Sequence, residues 1–395
     1  MRLALVRQRY TPFGGAERFV ARALEALRAQ GVQVTLVTRH WEGAGEVLRC
    51  DPFYLGSLWR DLGFARCVCR ALAAQPFDLV QSHERLVCCD LYRAGDGVHR
   101  VWLEQRRRTQ SWFARLAQAL NPYHRYVLTA ERRLFESPRL KAVICNSRMV
   151  RDEILTHFAI DPGKLHVIYS GVDLARFHPA NREQRREARH QLGLSAASTV
   201  FLFLGSGYER KGLATLLAAF AQLDAPAAQL LVVGRDRHAR RYQRLAQRLG
   251  CGARTLFLGP REDVLSCYHA ADALVLPTLY DPFPNVALEA LACGLPVVTS
   301  TKSGAAEVLE EGVTGFVRDA LDVSGIADAL ARLLHPAARA PMGQAARAEA
   351  ERFNAQAATQ ALLGLYQRLL AGVQGLDSGT LTPFSQPSAP PTDPA

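Results

Sequence analysis

The sequence PTLYDPFPNVALEALACGLPVVTS, residues Pro277–Ser300, decides the fold of this region of the chain. A short apolar run before it, Ala273–Leu276, predicts a buried strand. A loop follows, and we expect a helix to begin near Asn285, because asparagine is favoured as an N-cap, and to stop at Gly294. A second strand is predicted over Pro296–Ser300, so the stretch is a strand–loop–helix–strand unit.

Two carboxylates of this unit, Asp281 and Glu289, are candidate site residues. They lie eight positions apart, one in the loop and one inside the helix. Both follow the carboxyl end of a strand, where open α/β sheets bind their ligands. Taken alone, two such acids are more often an ordinary loop carboxylate and a helix-surface glutamate, so their roles depend on the residues around them.

The same alternation of strand and helix continues outward along most of the chain. Further strands are predicted at Leu3–Val6, Val32–Thr38, Phe77–Ser82, Ala142–Cys145, Leu165–Tyr169, Val200–Leu204, Leu230–Val233, Thr255–Leu258 and Gly315–Val317. A polar, charged stretch at Asn181–His190 is interpreted as a linker and a helix. This alternation predicts an α/β fold of two Rossmann-like, doubly wound domains with parallel sheets.

The length of 395 residues also favours two domains. We place the first domain at residues 1–175 and the second at residues 176–354. An amphipathic segment follows and predicts a helix over residues 355–375. Residues 376–395 are dominated by Ser, Thr and Pro, which predicts a disordered tail.

The composition excludes several classes of protein. An apolar fraction of 49% and a charged fraction of 22% are typical of a soluble globular chain, and no apolar run approaches the roughly 18 residues that span a bilayer. The N-terminal MRLALV is too short for a signal peptide and leads into Arg7 and Arg9, so we expect a cytoplasmic protein. The nine cysteines are therefore predicted to be reduced, mostly buried thiols, and Cys67/Cys69 with Cys88/Cys89 lack zinc-like spacing.

The net charge of +11 favours an anionic partner, either nucleic acid, membrane headgroups or a phosphorylated substrate. Much of it lies in one segment, at Arg100, Arg106, Arg107, Arg108, Arg115, Arg125, Arg132, Arg133, Arg139, Lys141, Arg148 and Arg151. The same segment contains the aromatic residues Trp102, Trp112, Phe113 and Tyr123. A solvated basic helix accounts for part of it, and the excess with aromatics fits a membrane surface or a phosphorylated glycolipid. No nucleic-acid-binding module is recognisable, so nucleic acid is the least favoured partner.

Two glycine-containing loops are candidate phosphate sites. Gly14 and Gly15 follow the first strand and precede a helix, where a close backbone approach to a phosphate and a plain tight turn are both possible. In LGSGYERKG, residues 204–212, a strand leads through glycines to Arg210 and Lys211 at the entry of the next helix. Two cations at a helix N-terminus are suited to neutralise a diphosphate and to stabilise it as a leaving group.

The paired acids, the Pro–Phe step between them and the following small-Cys-Gly-x-Pro-Val-Val resemble the signature of retaining glycosyltransferases of family 4. The resemblance implies the GT-B fold, in which two Rossmann-like domains face a central cleft. It also implies that the helix of residues 355–375 packs across the domain junction. The first domain would bind the acceptor and the second the nucleotide sugar. The first acid of the signature is usually Glu, and here it is Asp281, which is about one methylene shorter.

The resemblance assigns roles to donor-binding residues. Glu289 would hold the ribose hydroxyls, Asp281 would contact the donor sugar, and the loop at Arg261 would hold the nucleobase, expected to be uracil, through backbone groups. The run PFGGAER, residues 12–18, is similar to the first loop of lipopolysaccharide core glucosyltransferases I, which also share VTRHWEG, residues 37–43. The complete predicted donor site comprises Gly14, Gly15, Arg210, Lys211, Arg261, Phe283, Pro284, Asn285, Val286 and Glu289.

Two residues are candidates on the acceptor side. His83 follows a strand at the sheet edge, where many family 4 enzymes place a histidine against the donor sugar, although a lone histidine is often structural. Asp96 lies between two glycines and aligns with an aspartate of the glucosyltransferase I type that could orient the acceptor hydroxyl. Ordinary turn chemistry explains an aspartate there equally well.

These observations lead to one functional hypothesis. The chain is expected to be a retaining, metal-independent hexosyltransferase that moves a hexose from a UDP-sugar to a phosphorylated lipopolysaccharide core. It would need no cofactor and would work at the cytoplasmic face of the inner membrane, in peripheral contact with anionic lipid. The candidate catalytic residues are Asp281, Arg210, Lys211, His83 and Asp96. The alternatives are a family 4 enzyme for another lipid-linked or capsular glycan, and a catalytically weak sugar-nucleotide-binding scaffold.

Overall fold

The computed structural model describes residues 2–8, 31–41 and 46–374. The predicted phosphate loop at Gly14 and Gly15 lies outside these residues. So do the helix expected after that loop and the tail of residues 376–395.

The first half of the chain forms a seven-stranded parallel sheet. Its strands, numbered in chain order, are β1 (Arg2–Val6), β2 (Gln33–Thr38), β3 (Glu46–Arg49), β4 (Leu79–Ser82), β5 (Leu91–Arg93), β6 (Ala142–Cys145) and β7 (Leu165–Val167). They lie side by side in the order β3-β2-β1-β4-β5-β6-β7, and every neighbouring pair is parallel. Buried parallel strands are apolar on both faces. In β1, Leu3 and Leu5 contribute to one apolar core, and Ala4 and Val6 contribute to the core on the opposite face.

Helices of the first half cover this sheet. Numbered within the described residues, they are α1 (Gly56–Ala74), α2 (His99–Arg107), α3 (Trp112–Leu120), α4 (Pro122–Phe135) and α5 (Arg148–His157). Helix α5 begins directly after β6, where the Ser147 side chain accepts a hydrogen bond from the Val150 N–H at 3.2 Å. That contact is a standard N-cap and places the start of α5 at the carboxyl edge of the sheet.

The second half repeats the plan with six parallel strands. They are β8 (Val200–Leu204), β9 (Gln229–Val233), β10 (Thr255–Gly259), β11 (Ala273–Leu276), β12 (Val297–Ser300) and β13 (Gly315–Arg318), in the order β10-β9-β8-β11-β12-β13. The helices are α6 (Arg182–Gln191), α7 (Leu213–Ala221), α8 (Ala239–Arg248), α9 (Leu265–Ala270), α10 (Asn285–Ala292), α11 (Val323–Leu333), α12 (Pro336–Glu351) and α13 (Ala355–Gln374). Separate apolar cores lie on the two faces of this sheet as well. Two doubly wound parallel sheets confirm the predicted α/β fold class.

The sequence analysis missed two strands of the first sheet. Strand β3 is mostly exposed and has no apolar run, so its pairing with β2 is not visible in the sequence. Strand β5 is only three residues long and contains the buried Arg93. A strand of that length is held by its neighbours β4 and β6, and its own sequence carries little signal.

The last helix returns to the first half of the chain. Leu362, Leu365 and Tyr366 of α13 pack in the same apolar core as Leu3 and Leu5 of β1. The step into α13 is fixed by two backbone hydrogen bonds, Val172 N–H to Phe353 O at 2.9 Å and Ala355 N–H to Val172 O at 3.1 Å. The C-terminal helix therefore ties the second half of the chain to the first sheet.

The prediction that all nine cysteines are reduced is wrong for two of them. Helix α1 carries Cys69 against the loop after β4, where it forms a disulfide with Cys88. Their Cα atoms lie 5.7 Å apart, within the range that a disulfide requires. The seven other thiols are free, and all except Cys67 are buried. The sequence could not show this proximity, because the pairing depends on how α1 packs on the sheet.

Candidate functional site

Two loops at the carboxyl edge of the second sheet, those after β8 and β11, are joined by hydrogen bonds. The Arg210 carbonyl, in the loop after β8, accepts hydrogen bonds from the Leu279 N–H at 2.8 Å and the Thr278 hydroxyl at 2.9 Å, in the loop after β11. Gly212 has a φ of +77°, and a Cβ there would lie 1.8 Å from the Pro277 carbonyl oxygen. Only glycine permits this approach, which sets Arg210 and Lys211 beside the Asp281 loop.

Asp281 lies between two cations. Its carboxylate is buried and pairs with the Lys211 ammonium, and its Oδ2 lies 3.2 Å from Arg210 Nη1. Burial by itself raises the pKa of the Asp281 carboxyl, but the adjacent Lys211 and Arg210 charges outweigh it, and the pKa lies below its usual value. The carboxylate is therefore ionised at neutral pH. Three predicted site residues, Arg210, Lys211 and Asp281, form one charged cluster.

The helix after this loop starts one residue earlier than predicted. Pro284 is the N-cap of α10, with an extended backbone, and Asn285 is the first helical residue. No side chain caps the helix, so the prediction of Asn285 as the N-cap is wrong. The Pro284 carbonyl accepts the Ala287 N–H at 2.9 Å, which is consistent with Pro284 as the N-cap and Asn285 as the first helical residue. Gly294, with a φ of +72°, follows the last turn as expected.

Glu289 is buried in α10 and bonds a tyrosine that the sequence did not single out. The Tyr268 hydroxyl of α9 donates to Glu289 Oε2 at 2.9 Å and approaches the Val286 carbonyl at 3.3 Å. Phe283 is buried, with its ring centroid 5.5 Å from that of Tyr169 in the first half. Tyr268 does not belong to the Asp281 cluster, so the two acids of the signature bond to different partners.

The remaining donor-site candidates of the second half lie around the same edge. Arg261 is exposed on the loop between β10 and α9. Pro284 is buried and Asn285 and Val286 are half-buried at the start of α10. All of these residues follow the carboxyl ends of strands in the second sheet, the edge at which open α/β sheets bind ligands.

His83 follows β4 and is buried among polar groups of the first half. Its Nδ1 lies 3.3 Å from Arg7 Nη1, and its Nε2 lies 3.1 Å from Gln81 Nε2. Burial lowers the pKa of the His83 imidazole well below its usual value, and the charges of Arg7 and Arg93 lower it further. The ring is therefore neutral at physiological pH and suited to hydrogen bonding rather than to charge pairing.

Asp96 lies on the loop after β5, with 77% of its side chain exposed. Its Oδ2 is 3.8 Å from Arg85 Nη1, and Arg85 donates through Nε to Glu131 at 2.9 Å. Glu131 also accepts the His99 N–H at 2.9 Å, at the start of α2. Asp96 is thus an exposed carboxylate beside a fixed guanidinium. Sequence reasoning did not identify Arg85, because its approach to Asp96 depends on how the loops after β4 and β5 are placed.

The loops of the two halves meet at Tyr280, which the sequence analysis also missed. Its side chain enters the core of the first half, where its oxygen accepts the Val98 N–H at 2.8 Å. Its hydroxyl donates to Glu153 Oε2 of α5 at 2.7 Å. The only signal in the sequence is the adjacency of Tyr280 to Asp281.

The basic segment spreads over several elements. Arg108 forms a two-pronged ion pair with Asp319 of the second half, at 3.0 and 2.8 Å, and Arg106 lies 3.4 Å from Glu209. Of the four aromatic residues noted there, Trp112 and Phe113 are exposed. Trp102 and Tyr123 are half-buried. Part of the segment therefore joins the two halves, and part of it faces outward.

Helix α3 turns its apolar side outward. Trp112, Phe113, Leu116 and Leu120 are 63%, 65%, 52% and 68% exposed. The polar Gln118 is buried instead, and its Nε2 donates to the Leu103 carbonyl at 3.2 Å. A helix in water normally buries its apolar face, so this outward apolar surface is a candidate site of interaction.

The described residues contain neither a cluster of metal ligands nor a membrane-spanning helix. No three His, Cys, Asp or Glu side chains within residues 2–8, 31–41 and 46–374 cluster so as to hold a metal ion. In the same ranges, none of the helices combines the length and apolarity required to span a bilayer.

Comparisons with known proteins agree with this architecture. A D-inositol 3-phosphate glycosyltransferase of Saccharomonospora viridis is 34% identical over 264 residues, which are 63% of this chain and 60% of that protein. The chain thus spans less than two thirds of this curated relative. The solved structure of WaaG, a glycosyltransferase involved in lipopolysaccharide biosynthesis, aligns with a TM-score of 0.79 at 24% identity, over 94% of this chain and 100% of that one. Anabaena HepE, solved with UDP and glucose, aligns with a TM-score of 0.72 at 22% identity, over 93% and 100%.

Two protein families match along the sequence. Residues 13–176 match the family described as Glycosyltransferase Family 4, and residues 184–349 match Glycosyl transferases group 1. These matches fall on the two parallel sheets. The chain therefore carries a family 4 glycosyltransferase domain followed by a group 1 glycosyl transferase domain, arranged in the GT-B fold.

Proposed function

We propose that this protein is a retaining glycosyltransferase that transfers a hexose from a UDP-sugar to a phosphorylated acceptor. The observation that carries the proposal is the cluster of Arg210, Lys211 and Asp281 at the carboxyl edge of the group 1 domain. There, two fixed cations share one buried carboxylate. A diphosphate offers these cations more negative charge than Asp281 does, so the cluster is suited to bind a nucleotide diphosphate.

The donor would lie across the edge of the second sheet. Arg210 and Lys211 would neutralise the diphosphate and stabilise it as it leaves. Glu289 would accept hydrogen bonds from the ribose hydroxyls, and backbone groups of the loop at Arg261 would hold the uracil. The other donor contacts in the proposal are Gly14, Gly15, Phe283, Pro284, Asn285 and Val286.

The chemistry would take place between the two halves. Asp281 would orient the hexose, His83 would hydrogen bond to it, and Asp96 would orient the attacking acceptor hydroxyl. Attack on the same face as the departing diphosphate retains the configuration, and the leaving phosphate accepts the proton of the hydroxyl. In this proposal Arg210 and Lys211 supply the positive charge at the leaving group, so the reaction is metal-independent and needs no cofactor.

Two phosphorylated acceptors are candidates. The resemblance to core glucosyltransferases I favours a phosphorylated lipopolysaccharide core. The 34% identity to a D-inositol 3-phosphate glycosyltransferase favours an inositol phosphate. Both share a hydroxyl near a phosphate, and Arg85, fixed by Glu131 beside Asp96, is placed to contact that phosphate.

The donor proposal is tested by calorimetric titration of the full chain with UDP, GDP and ADP. We expect UDP to bind selectively, and Lys211→Met and Glu289→Ala each to weaken UDP binding by at least 10-fold, as expected for a lost charge-assisted hydrogen bond. Lys164→Met, in the turn before β7 of the first sheet, is the control and should bind like the wild type. Selective binding of GDP or ADP would indicate a different nucleotide-sugar donor, and no binding of any of the three would contradict the proposed donor site.

The acceptor is tested with radiolabelled UDP-hexoses and two acceptors in parallel, inositol 3-phosphate and purified phosphorylated lipopolysaccharide core. Transfer to the core and not to inositol phosphate would support the first candidate, and the converse would support the second. Each acceptor is also supplied without its phosphate. If Arg85 binds the acceptor phosphate, transfer to the dephosphorylated acceptor should be lost. Release of UDP without transfer to either acceptor would contradict both candidates.

We further propose that the outward apolar side of α3 contacts an anionic membrane at its cytoplasmic face. Arg115 lies on the same helix, and its Nε donates to the Arg107 carbonyl at 2.9 Å, so exposed arginines adjoin the apolar residues. Apolar side chains entering the headgroup region next to basic ones are the usual arrangement of an interfacial helix.

The membrane contact is tested by vesicle sedimentation. The triple variant Trp112→Gln, Phe113→Gln and Leu116→Gln should bind phosphatidylglycerol-containing vesicles at least 10-fold more weakly than the wild type, since each apolar side chain contributes on the order of 1 kcal/mol. Leu249→Gln, an exposed leucine in the second half, is the matched control. Equal binding of the triple variant, or equal binding to purely zwitterionic vesicles, would overturn the proposal.

A further inference from the structure

We propose that Tyr280 is a positioning residue of the transfer reaction, which holds the loop of residues 94–98, with Asp96, in register with the Asp281 loop. The inference rests on the proposed function, because it concerns the geometry between the two halves of that site. Tyr280 itself touches neither substrate in this proposal.

The Tyr280 side chain crosses from the second half of the chain into the first. Its backbone belongs to the loop after β11, but the residue is 1% exposed and packs in the core of the first sheet with Val98 and Val101. Its hydroxyl is used twice, as acceptor of the Val98 N–H at 2.8 Å and as donor to Glu153 at 2.7 Å. A buried hydroxyl with both bonds made has one orientation, because any other would leave buried polar groups unpaired.

Gly97 shows independently that the loop is shaped around this side chain. Its φ is +67°, and a Cβ there would lie 2.1 Å from the Tyr280 hydroxyl oxygen and 2.9 Å from Pro282 Cγ. A residue with a side chain cannot occupy this position while the two loops are in contact. The loop of residues 94–98, which carries Asp96, therefore contacts Tyr280 at two positions, the Val98 N–H and Gly97.

The other end of Tyr280 is fixed to the charged cluster. Its carbonyl accepts a hydrogen bond from Arg210 Nη1 at 3.1 Å, and the next residue is Asp281. Asp281 in turn donates its N–H to the Lys302 carbonyl at 2.9 Å. The side chain of Lys302 reaches Glu153 Oε1 at 3.3 Å, so Glu153 links to this loop through both Tyr280 and Lys302.

One residue thus joins the two candidate catalytic carboxylates. The side chain of Tyr280 holds the Asp96 loop, and its backbone holds Asp281 and Arg210. A misplacement of about 1 Å between reacting groups can lower a rate by about 100-fold. Loss of the Tyr280 hydroxyl should therefore slow transfer. It should leave nucleotide binding intact, because the cluster of Arg210, Lys211 and Asp281 contacts the Tyr280 backbone and not its ring.

The test uses the full chain with Tyr280→Phe, which keeps the ring and removes only the hydroxyl. We expect the UDP dissociation constant to stay within about 2-fold of wild type, and kcat for transfer from the UDP-hexose to fall about 10- to 100-fold. Hydrogen exchange of the Val98 amide should become faster, since its acceptor is gone. Glu153→Gln, which keeps the shape of the acceptor but removes its charge, should give a smaller loss of kcat.

Two controls separate positioning from general effects. Asp319→Asn weakens the Arg108 contact, which also joins the two halves but lies outside the Tyr280 network. Tyr242→Phe alters another buried tyrosine of the second half. Both should keep wild-type kcat. An equal loss in Asp319→Asn would mean that Tyr280 acts only by holding the halves together, and the inference would be overturned.

The outcomes for the inference and for the proposed function are distinguishable. An active wild type with unchanged kcat in Tyr280→Phe would overturn the inference and leave the function intact. A wild type that binds no nucleotide would overturn the proposed function. Hydrogen exchange of the Val98 amide, compared between the wild type and Tyr280→Phe, would still test the Tyr280 contact. Unchanged exchange at Val98 would show that the hydroxyl does not hold the loop.

Discussion

Replacing Lys211 by methionine is expected to lower kcat for hexose transfer by about 100- to 1,000-fold, the usual cost of losing one group that stabilises developing negative charge. Lys211 is buried and its ammonium is paired with Asp281 and next to Arg210. Methionine has a similar length and no charge. The diphosphate would then leave with Arg210 as the remaining cation of the cluster. Because negative charge on the diphosphate grows as it leaves, the transition state should lose more stabilisation than the bound substrate.

The measurement is the steady-state rate of transfer from the UDP-hexose, with thermal unfolding recorded on the same samples. Lys211→Arg keeps a positive charge and should recover part of the rate, although a guanidinium fits a buried ammonium site imperfectly. Lys164→Met serves as the control outside the cluster. Turnover of Lys211→Met within 3-fold of wild type would remove Lys211 from the proposed mechanism.

The second large effect is on stability, and it concerns Asp272, the residue before β11. Its carboxylate accepts hydrogen bonds from Arg185 at 2.7 Å, from Arg189 at 2.8 Å and from the Val200 N–H at 2.8 Å, and it pairs with Arg339 at 3.1 Å. Arg189 is itself buried. Asp272→Ala should therefore lower the free energy of unfolding by about 3–5 kcal/mol, because a buried guanidinium loses its counter-charge.

Urea denaturation measures this change, provided that the two halves are followed separately. The four tryptophans, Trp41, Trp59, Trp102 and Trp112, all belong to the first half. Circular dichroism must therefore accompany fluorescence, and the shift should appear mainly in the dichroism transition. Glu351→Gln breaks an exposed pair with Arg347 and should cost under about 0.5 kcal/mol. A similarly small change in Asp272→Ala would show that the arginines find other partners.

Much of the fold follows from local sequence. Strands β6, β8 and β11 have the predicted bounds, because continuous apolar runs between turn residues carry a strong signal. Helix α6 lies in the polar stretch that was interpreted as a linker and a helix, and the structure shows a capping box of Asn181 and Gln184 at its start. Strands β3 and β5 were missed, because one is exposed and the other is three residues long.

The sequence by itself determined the residue types and the edge at which the candidate site lies. Arg210, Lys211 and Asp281 each follow a strand of the second half, and parallel strands bring such residues to one edge. Only the tertiary structure decided which side chains meet across the chain. Tyr280 and Val98, Arg85 and Asp96, and Cys69 and Cys88 are paired by the packing of separate elements. No local propensity encodes such contacts, because they depend on how the two sheets and their helices are placed relative to one another.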